Sequence, residues 1–253
     1  MLMDFTKKKF DIILQAGQSN AQGCGWGAVP KPFETNDKTW YLGQNFTIYT
    51  AQEEVWDNNA VCNFALPFSM KYIKKGLLDK DRNLLIIRAA VGGTGFLDKH
   101  WGMEDDLYLQ MMEMIRTALA LNSENRLVAF LWHQGETDAT NNATLDGHYN
   151  NLLGLVQSVR KEFDCTSIPF IAADFVHDWK DCFLDICEPV ISAIKAVCAD
   201  IGNADFIETE GLTSNNQENG GEDTIHFSRK SMMELGEKYF DVFCKVKNAG
   251  KGA

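Results

Sequence analysis

Four short segments of this chain hold the side chains able to make and break covalent bonds. They are Gly17-Gln18-Ser19-Asn20, Gly92-Gly93-Thr94-Gly95, His133-Gln134-Gly135-Glu136-Thr137-Asp138 and Asp223-Thr224-Ile225-His226. A serine hydroxyl is a weak nucleophile until a base accepts its proton, and the base works better when a carboxylate fixes its tautomer. Ser19, His226 and Asp223 are residues of those three kinds. The Asp-x-x-His spacing lets one loop carry both partners. The carboxylate folds back on the near ring nitrogen and leaves the far one free for Ser19. Acyl transfer also needs donors aimed at the developing oxyanion. The candidates are the N–H of Ser19, a backbone N–H in the Gly92-Gly93 turn, and the side-chain amide of Gln134. Glycine suits such a turn because no Cβ keeps the backbone from a ligand.

Each of these residues has a plainer use as well. Ser19 and Asn20 suit a helix N-terminus. Glu136 and Asp138 resemble an acid–base pair, but the simpler reading has them bonding the Ser19 loop or holding Gln134 in place. His133 and Glu136 have His-x-x-Glu spacing that His100 could join, yet a zinc site needs a second compact ligand pair. No metal is expected. Gly92, Gly93 and Gly95 do not make the G-x-G-x-x-G or Walker patterns of phosphate-binding loops. The rings of Trp26, Trp40, Tyr41, Tyr49 and Trp56, with Trp101 and Trp179, either stack on sugar faces or simply pack.

These segments need a scaffold that brings them together. Apolar runs at 10–16 (FDIILQA), 84–89 (LLIIRA), 127–132 (LVAFLW), 168–173 (IPFIAA) and 204–207 (ADFI) read as five strands. Amphipathic stretches at 61–78, 106–121, 145–163, 183–201 and 229–246 read as helices. The alternation predicts an α/β, doubly wound fold with a five-stranded parallel sheet between helices. Such sheets bind ligands beyond the carboxyl ends of the strands, near the topological switch point, which is where the first three chemical segments fall. No repeat or linker divides the chain, so 1–253 reads as one domain. Residues 24–59, rich in Gly, Pro and aromatics, break the rhythm and are expected to be an irregular binding-loop insertion.

Composition narrows the partners. A net charge of -11 repels phosphate backbones and anionic headgroups, which argues against nucleic acid and membrane. No apolar run approaches the ~18 residues of a membrane-spanning helix. Residues 10–16 are too short for a signal-peptide core and no cleavage signature follows them. Seven cysteines, an odd number without C-x-x-C pairs, point to reduced thiols and a cytoplasmic setting. Oligomeric state is not legible.

Gly17-Gln18-Ser19-Asn20-Ala21, Gly92-Gly93-Thr94, the WHQGETD run at 132–138 and Asp223-x-x-His226 resemble, in that order, the blocks of SGNH-type hydrolases. They are most similar to the sialate O-acetylesterase and acetylxylan esterase branch, which includes carbohydrate esterase family 6. The resemblance runs over residues 10–240. It implies a flavodoxin-like three-layer fold and a Ser-His-Asp mechanism without a cofactor. It also implies removal of acetyl groups from an acetylated mono- or oligosaccharide. A sialate 9-O-acetylesterase, or a catalytically silent sugar-binding protein on the same fold, stays open beside that. Carried onto this chain, Ser19 is the nucleophile, His226 the general base and Asp223 its orienting partner. Gly93 and Gln134 match the oxyanion-hole positions beside the Ser19 N–H, with Gln18, Asn20, Gly92 and Glu136 in support. Two departures stand out. Gln134 occupies the place of an asparagine in many SGNH enzymes, as it does in the carbohydrate esterase branch. Ala21 excludes the G-x-S-x-G elbow of α/β-hydrolases.

Overall fold

In the computed structural model, which describes residues 4–28, 32–33, 36–56 and 58–249, the run at 10–16 forms β1 (Lys9–Gly17) in the middle of the main sheet. Its side chains alternate between two cores. Phe10, Ile12, Leu14 and Ala16 enter one and Ile13 the other. A strand covered on both faces has no solvent side, hence the mainly apolar run, in which even Asp11 and Gln15 are buried.

After β1 come α1 (Ser19–Gln22), β2 (Gly25–Ala28), β3 (Thr39–Leu42), β4 (Ile48–Thr50), β5 (Glu54–Trp56) and β6 (Asn59–Cys62). Next are α2 (Ala65–Lys74), β7 (Arg82–Ala90), α3 (Asp106–Ala120), β8 (Arg126–His133), α4 (Glu136–Thr140) and α5 (Leu145–Glu162). Then follow β9 (Phe170–Ala173), α6 (His177–Lys180), α7 (Leu184–Asp200), β10 (Ala204–Ile207), α8 (Asn215–Asn219) and α9 (Arg229–Ala249).

The main sheet runs β10-β9-β8-β1-β7-β3-β4, parallel throughout except where β4 pairs with β3. Its five long-range parallel strands follow the flavodoxin-like doubly wound order, with β1 between the second and third strands of the set. The sheet has seven strands, not the five expected. β3 joins the open edge of β7 in parallel and β4 closes that edge. Both come from the 24–59 stretch, which is therefore not the irregular loop anticipated. The four residues of β3 (TWYL) are too short to show a period, and the edge of β7 supplies the pairing. β2, β6 and β5 form a separate antiparallel sheet. Residues 29–31, 34–35 and 57 of that stretch lie outside the described residues.

Helices cover both faces. Leu66, Phe68 and Tyr72 of α2 meet Leu235, Tyr239 and Phe243 of α9 on one side. Met111 and Ile115 of α3, Leu152 and Val156 of α5, and Val190 and Ile194 of α7 share the other. At the amino-terminal end of β1, Asp11 is fully buried. It accepts hydrogen bonds from Arg82 Nε and Arg126 Nε at 2.6 Å each and from the Tyr72 hydroxyl at 2.8 Å. At the carboxyl end, Gly17 has φ +133°, and a Cβ there would collide with the His133 carbonyl. Only glycine keeps β1 paired with β8 up to the turn that carries Ser19. Among the described residues no helix is long and apolar enough to cross a membrane.

Candidate active site

Ser19 opens α1 directly beyond the carboxyl end of β1. The turn before it is held by the Gln18 N–H, which donates to the His133 carbonyl at 3.0 Å, and by the Gln18 carbonyl, which accepts from Gln22 at 2.8 Å. As a first-turn residue Ser19 has no helical acceptor for its own N–H, and that N–H has no partner among the described residues. Its hydroxyl oxygen lies 2.9 Å from His226 Nε2, and His226 Nδ1 lies 2.8 Å from Asp223 Oδ1.

The loop carrying Asp223 and His226 is pinned from two sides. Asn215, at the start of α8, donates its side-chain amide to Asp223 Oδ2 at 2.8 Å and to the Cys24 carbonyl at 2.8 Å, and its N–H to the His226 carbonyl at 2.9 Å. Asn20 pins the other side. Its amide nitrogen donates to Glu136 Oε1 at 2.7 Å and to the Ile225 carbonyl at 3.1 Å, while its oxygen accepts the Phe227 N–H at 3.2 Å. The residue after the serine thus grips both neighbours of the histidine.

Burial opposes ionisation of Asp223, but hydrogen bonds with His226 and Asn215 outweigh it and hold the carboxyl below the usual aspartate range. The neighbouring Cys24 thiol is pushed up to about 12 by burial and by the negative charges of Asp223 and Glu136, so it stays protonated and does not compete as a nucleophile.

On the other flank of Ser19 the two glycines differ. The Gly92 N–H is taken by Gln22 Oε1 at 2.9 Å, and the Cβ position of Gly92 is 3.4 Å from Ser19 Cβ. The Gly93 N–H has no partner among the described residues, and the space around Gly93 is open. Gln134 is almost fully buried. One amide hydrogen goes to Asp138 Oδ2 at 2.7 Å, and the amide makes only long contacts otherwise, 3.3 Å to the Thr94 carbonyl and 3.5 Å to Gln18 Oε1. Asp138 also receives the N–H groups of Phe96 and Leu97 at 2.9 Å, so one carboxylate anchors both Gln134 and the glycine turn. A Cβ on Gly95 would press into that carboxylate at 2.7 Å, which is why the turn must be glycine there.

The structure therefore brings together Ser19, His226, Asp223, Gly92, Gly93, Gln18, Asn20, Gln134 and Glu136. Glu136 bonds the Ser19 turn through Asn20 and Asp138 holds Gln134, the two structural uses expected from sequence. His133 Nε2 faces Glu136 Oε1 at 3.5 Å, whereas His100 pairs with Asp106 at 2.8 Å on an exposed loop, so the three do not form a ligand set. Of the aromatic residues, Tyr41, Trp101 and Trp179 are buried as packing, while Tyr49 and Trp56 are exposed. Asn215 and Gln22 were not singled out from sequence. The only local signal for Asn215 is the capping box of Ser214 and Gln217, which marks a helix start just before the Asp-x-x-His segment.

A flavodoxin-like sheet with this cluster above its carboxyl edge is the arrangement that the resemblance in the four sequence blocks implies. The model of the carbohydrate esterase, sialic acid-specific acetylesterase family matches residues 9–245, and the chain belongs to that family. A probable carbohydrate esterase of Arabidopsis thaliana is 22% identical over 92% of this chain and 91% of its own length. A probable 9-O-acetyl-N-acetylneuraminic acid deacetylase of Escherichia coli is 27% identical over 52% of this chain, and the match spans about half, 48%, of that protein. The crystal structure of NanS superposes with a TM-score of 0.81 at 16% identity, covering 96% of this chain and 99% of that one. The solved structure of an Arabidopsis protein gives 0.69 at 17% identity, covering 93% and 98%. At such identities these two likenesses speak to the fold.

Proposed function

We propose that this chain is a carbohydrate O-acetylesterase that works through Ser19, His226 and Asp223, with residues 1–253 acting as one hydrolase domain. The observation that carries the reading is the continuous contact from Asp223 through His226 to the Ser19 hydroxyl, at 2.8 and 2.9 Å. In this mechanism Ser19 Oγ attacks the acetyl carbonyl as His226 Nε2 takes its proton. The oxyanion sits on the N–H groups of Ser19 and Gly93, with the loosely held second hydrogen of the Gln134 amide as third donor. His226 then protonates the departing sugar oxygen, and the acetyl group stays on Ser19. A water, deprotonated by His226, cleaves that ester and releases acetate.

Family membership and the presence of every required side chain weigh against a silent sugar-binding protein. The description of the family and the name of the Escherichia coli relative favour a second reading of the substrate, an acetylated sialic acid. All seven cysteines are free thiols, which suits the reducing cytoplasm where we place the protein.

The test is acetate release from a panel of acetylated sugars and from an aryl acetate, with wild type and Ser19→Ala. The variant is expected to lose on the order of 10⁴–10⁶ in kcat. Undiminished turnover would remove Ser19 from the mechanism. Stoichiometric sugar binding without acetate release by the wild type would favour the silent-protein alternative.

A further inference from the structure

Beside the Ser19 turn, on the side of β3 and β4, lies a cavity of about 420 Å³, within the roughly 300–1,000 Å³ of small-molecule sites. A larger cavity of about 630 Å³ opens at the opposite ends of the strands, against Arg126, Pro169 and Asn203, so volume alone does not select a site. Position does. The smaller cavity borders the glycine turn through Gln22, whose Oε1 holds the Gly92 N–H.

Among the described residues its charged lining residues are Arg88 and Glu54, and they are paired. Arg88 has little left to offer a ligand. Its guanidinium donates to the Glu54 carboxylate, to the Tyr49 hydroxyl at 3.3 Å and to the Gln22 carbonyl at 2.8 Å, and it lies 4.9 Å over the Tyr41 ring. The Arg88 side chain is 15% exposed against 41% for Glu54, so the carboxylate is the charge a ligand meets first. The rest of the wall is neutral and two-sided. The Gln44 amide nitrogen is tied to the Ala90 carbonyl at 2.8 Å, which leaves its oxygen to accept. The Asn45 oxygen is tied to Thr47, which leaves its nitrogen to donate, and the Gln22 nitrogen has no partner among the described residues.

We infer that this cavity is the subsite for the alcohol portion of the ester, that it takes an uncharged polyol, and that it discriminates against a sugar acid. The inference rests on the esterase reading above. Sugar hydroxyls both donate and accept, and so match the free oxygens of Glu54 and Gln44 and the free nitrogens of Gln22 and Asn45. A carboxylate on the sugar would instead face Glu54, with Arg88 already neutralised. Discrimination of this kind comes from the repulsive partner as much as from the attractive ones.

The experiment compares kcat/KM for an acetylated neutral monosaccharide and an acetylated sialic acid, using the full chain. The ratio of the two does not depend on how much enzyme is active. Wild type is expected to favour the neutral substrate by about tenfold or more, the size of one unfavourable charge contact in a half-exposed site. Glu54→Gln frees Arg88 and should shift the ratio toward the acidic sugar by about the same factor. Asn45→Ala, on an exposed turn, should raise KM for the neutral sugar about three- to tenfold with kcat unchanged. A wild-type preference for the acidic sugar, or a ratio that moves less than twofold in Glu54→Gln, would overturn the subsite while leaving the esterase intact. No hydrolysis of either sugar or of an aryl acetate would overturn the esterase reading itself.

Discussion

β1 carries a buried polar cluster at each end, and the two are built on opposite terms. At the amino-terminal end Asp11 accepts from Arg82, Arg126 and Tyr72, and Arg82 also donates to the carbonyls of Phe10 and Glu124. No buried side-chain atom of that cluster lacks a partner among the described residues. At the carboxyl end Gln134 Oε1, Glu136 Oε2 and His133 Nε2 are buried without a hydrogen-bond partner among the described residues, and the N–H groups of Ser19 and Gly93 are free. Buried polar atoms are ordinarily paired, so the unused capacity at the carboxyl end supports the proposal that this end meets a ligand. On the proposed function, the saturated cluster holds the sheet and the unsaturated one serves the chemistry.

Substitutions at the two ends should therefore separate activity from stability. Asp223→Asn is expected to lower kcat by on the order of 10⁴, through loss of the correct imidazole tautomer, with the denaturation midpoint little moved. Steady-state kinetics and a urea melt on one preparation check both halves. Asp11→Ala should do the reverse. It strands the buried Arg82 guanidinium and should destabilise the fold by about 3–5 kcal/mol in urea titrations, while kcat per folded molecule stays at the wild-type value. A large loss of kcat in the folded fraction would break the contrast. Gln134→Ala should cost on the order of 10²–10³ in kcat if its second hydrogen meets the oxyanion. A loss under tenfold would leave Gln134 as a prop for the glycine turn.

The smallest effect is expected from pH. Burial opposes ionisation of Asp138, but the His148 imidazole 3.5 Å away and the N–H groups of Leu97 and Phe96 more than offset it, so its carboxyl titrates below the usual aspartate range. A depressed folded-state pKa contributes stability that is fully present above the unfolded value, near 3.8, and is lost as pH falls through the folded one. Thermal melts should be flat with respect to this group from pH 7 to about 5 and fall only in more acidic solution. Asp138→Asn should flatten that acid decline.

Much of this was legible in the linear chain because the deciding signals are local. The first four apolar runs need only their own residues to mark a strand covered on both faces, and Asp223 and His226 find each other across three positions. What stayed hidden depends on partners far away in sequence. β3 is a strand because β7 offers an edge. Gln22 acts through Gly92, 70 positions on. Glu136 and Asp138 were indistinguishable in the chain, and only folding shows that Asp138 takes a Gln134 hydrogen while Glu136 bonds Asn20.

The grip of Asn20 on the residues flanking His226 spans 205 and 207 positions, with a consequence for how the protein comes into being. During synthesis everything through β10 can emerge from the ribosome while the serine still has no base to activate it. On the proposed mechanism, reactivity switches on only when the final stretch folds back onto the first turn. A nascent or prematurely stopped polypeptide would thus carry a serine as inert as any other.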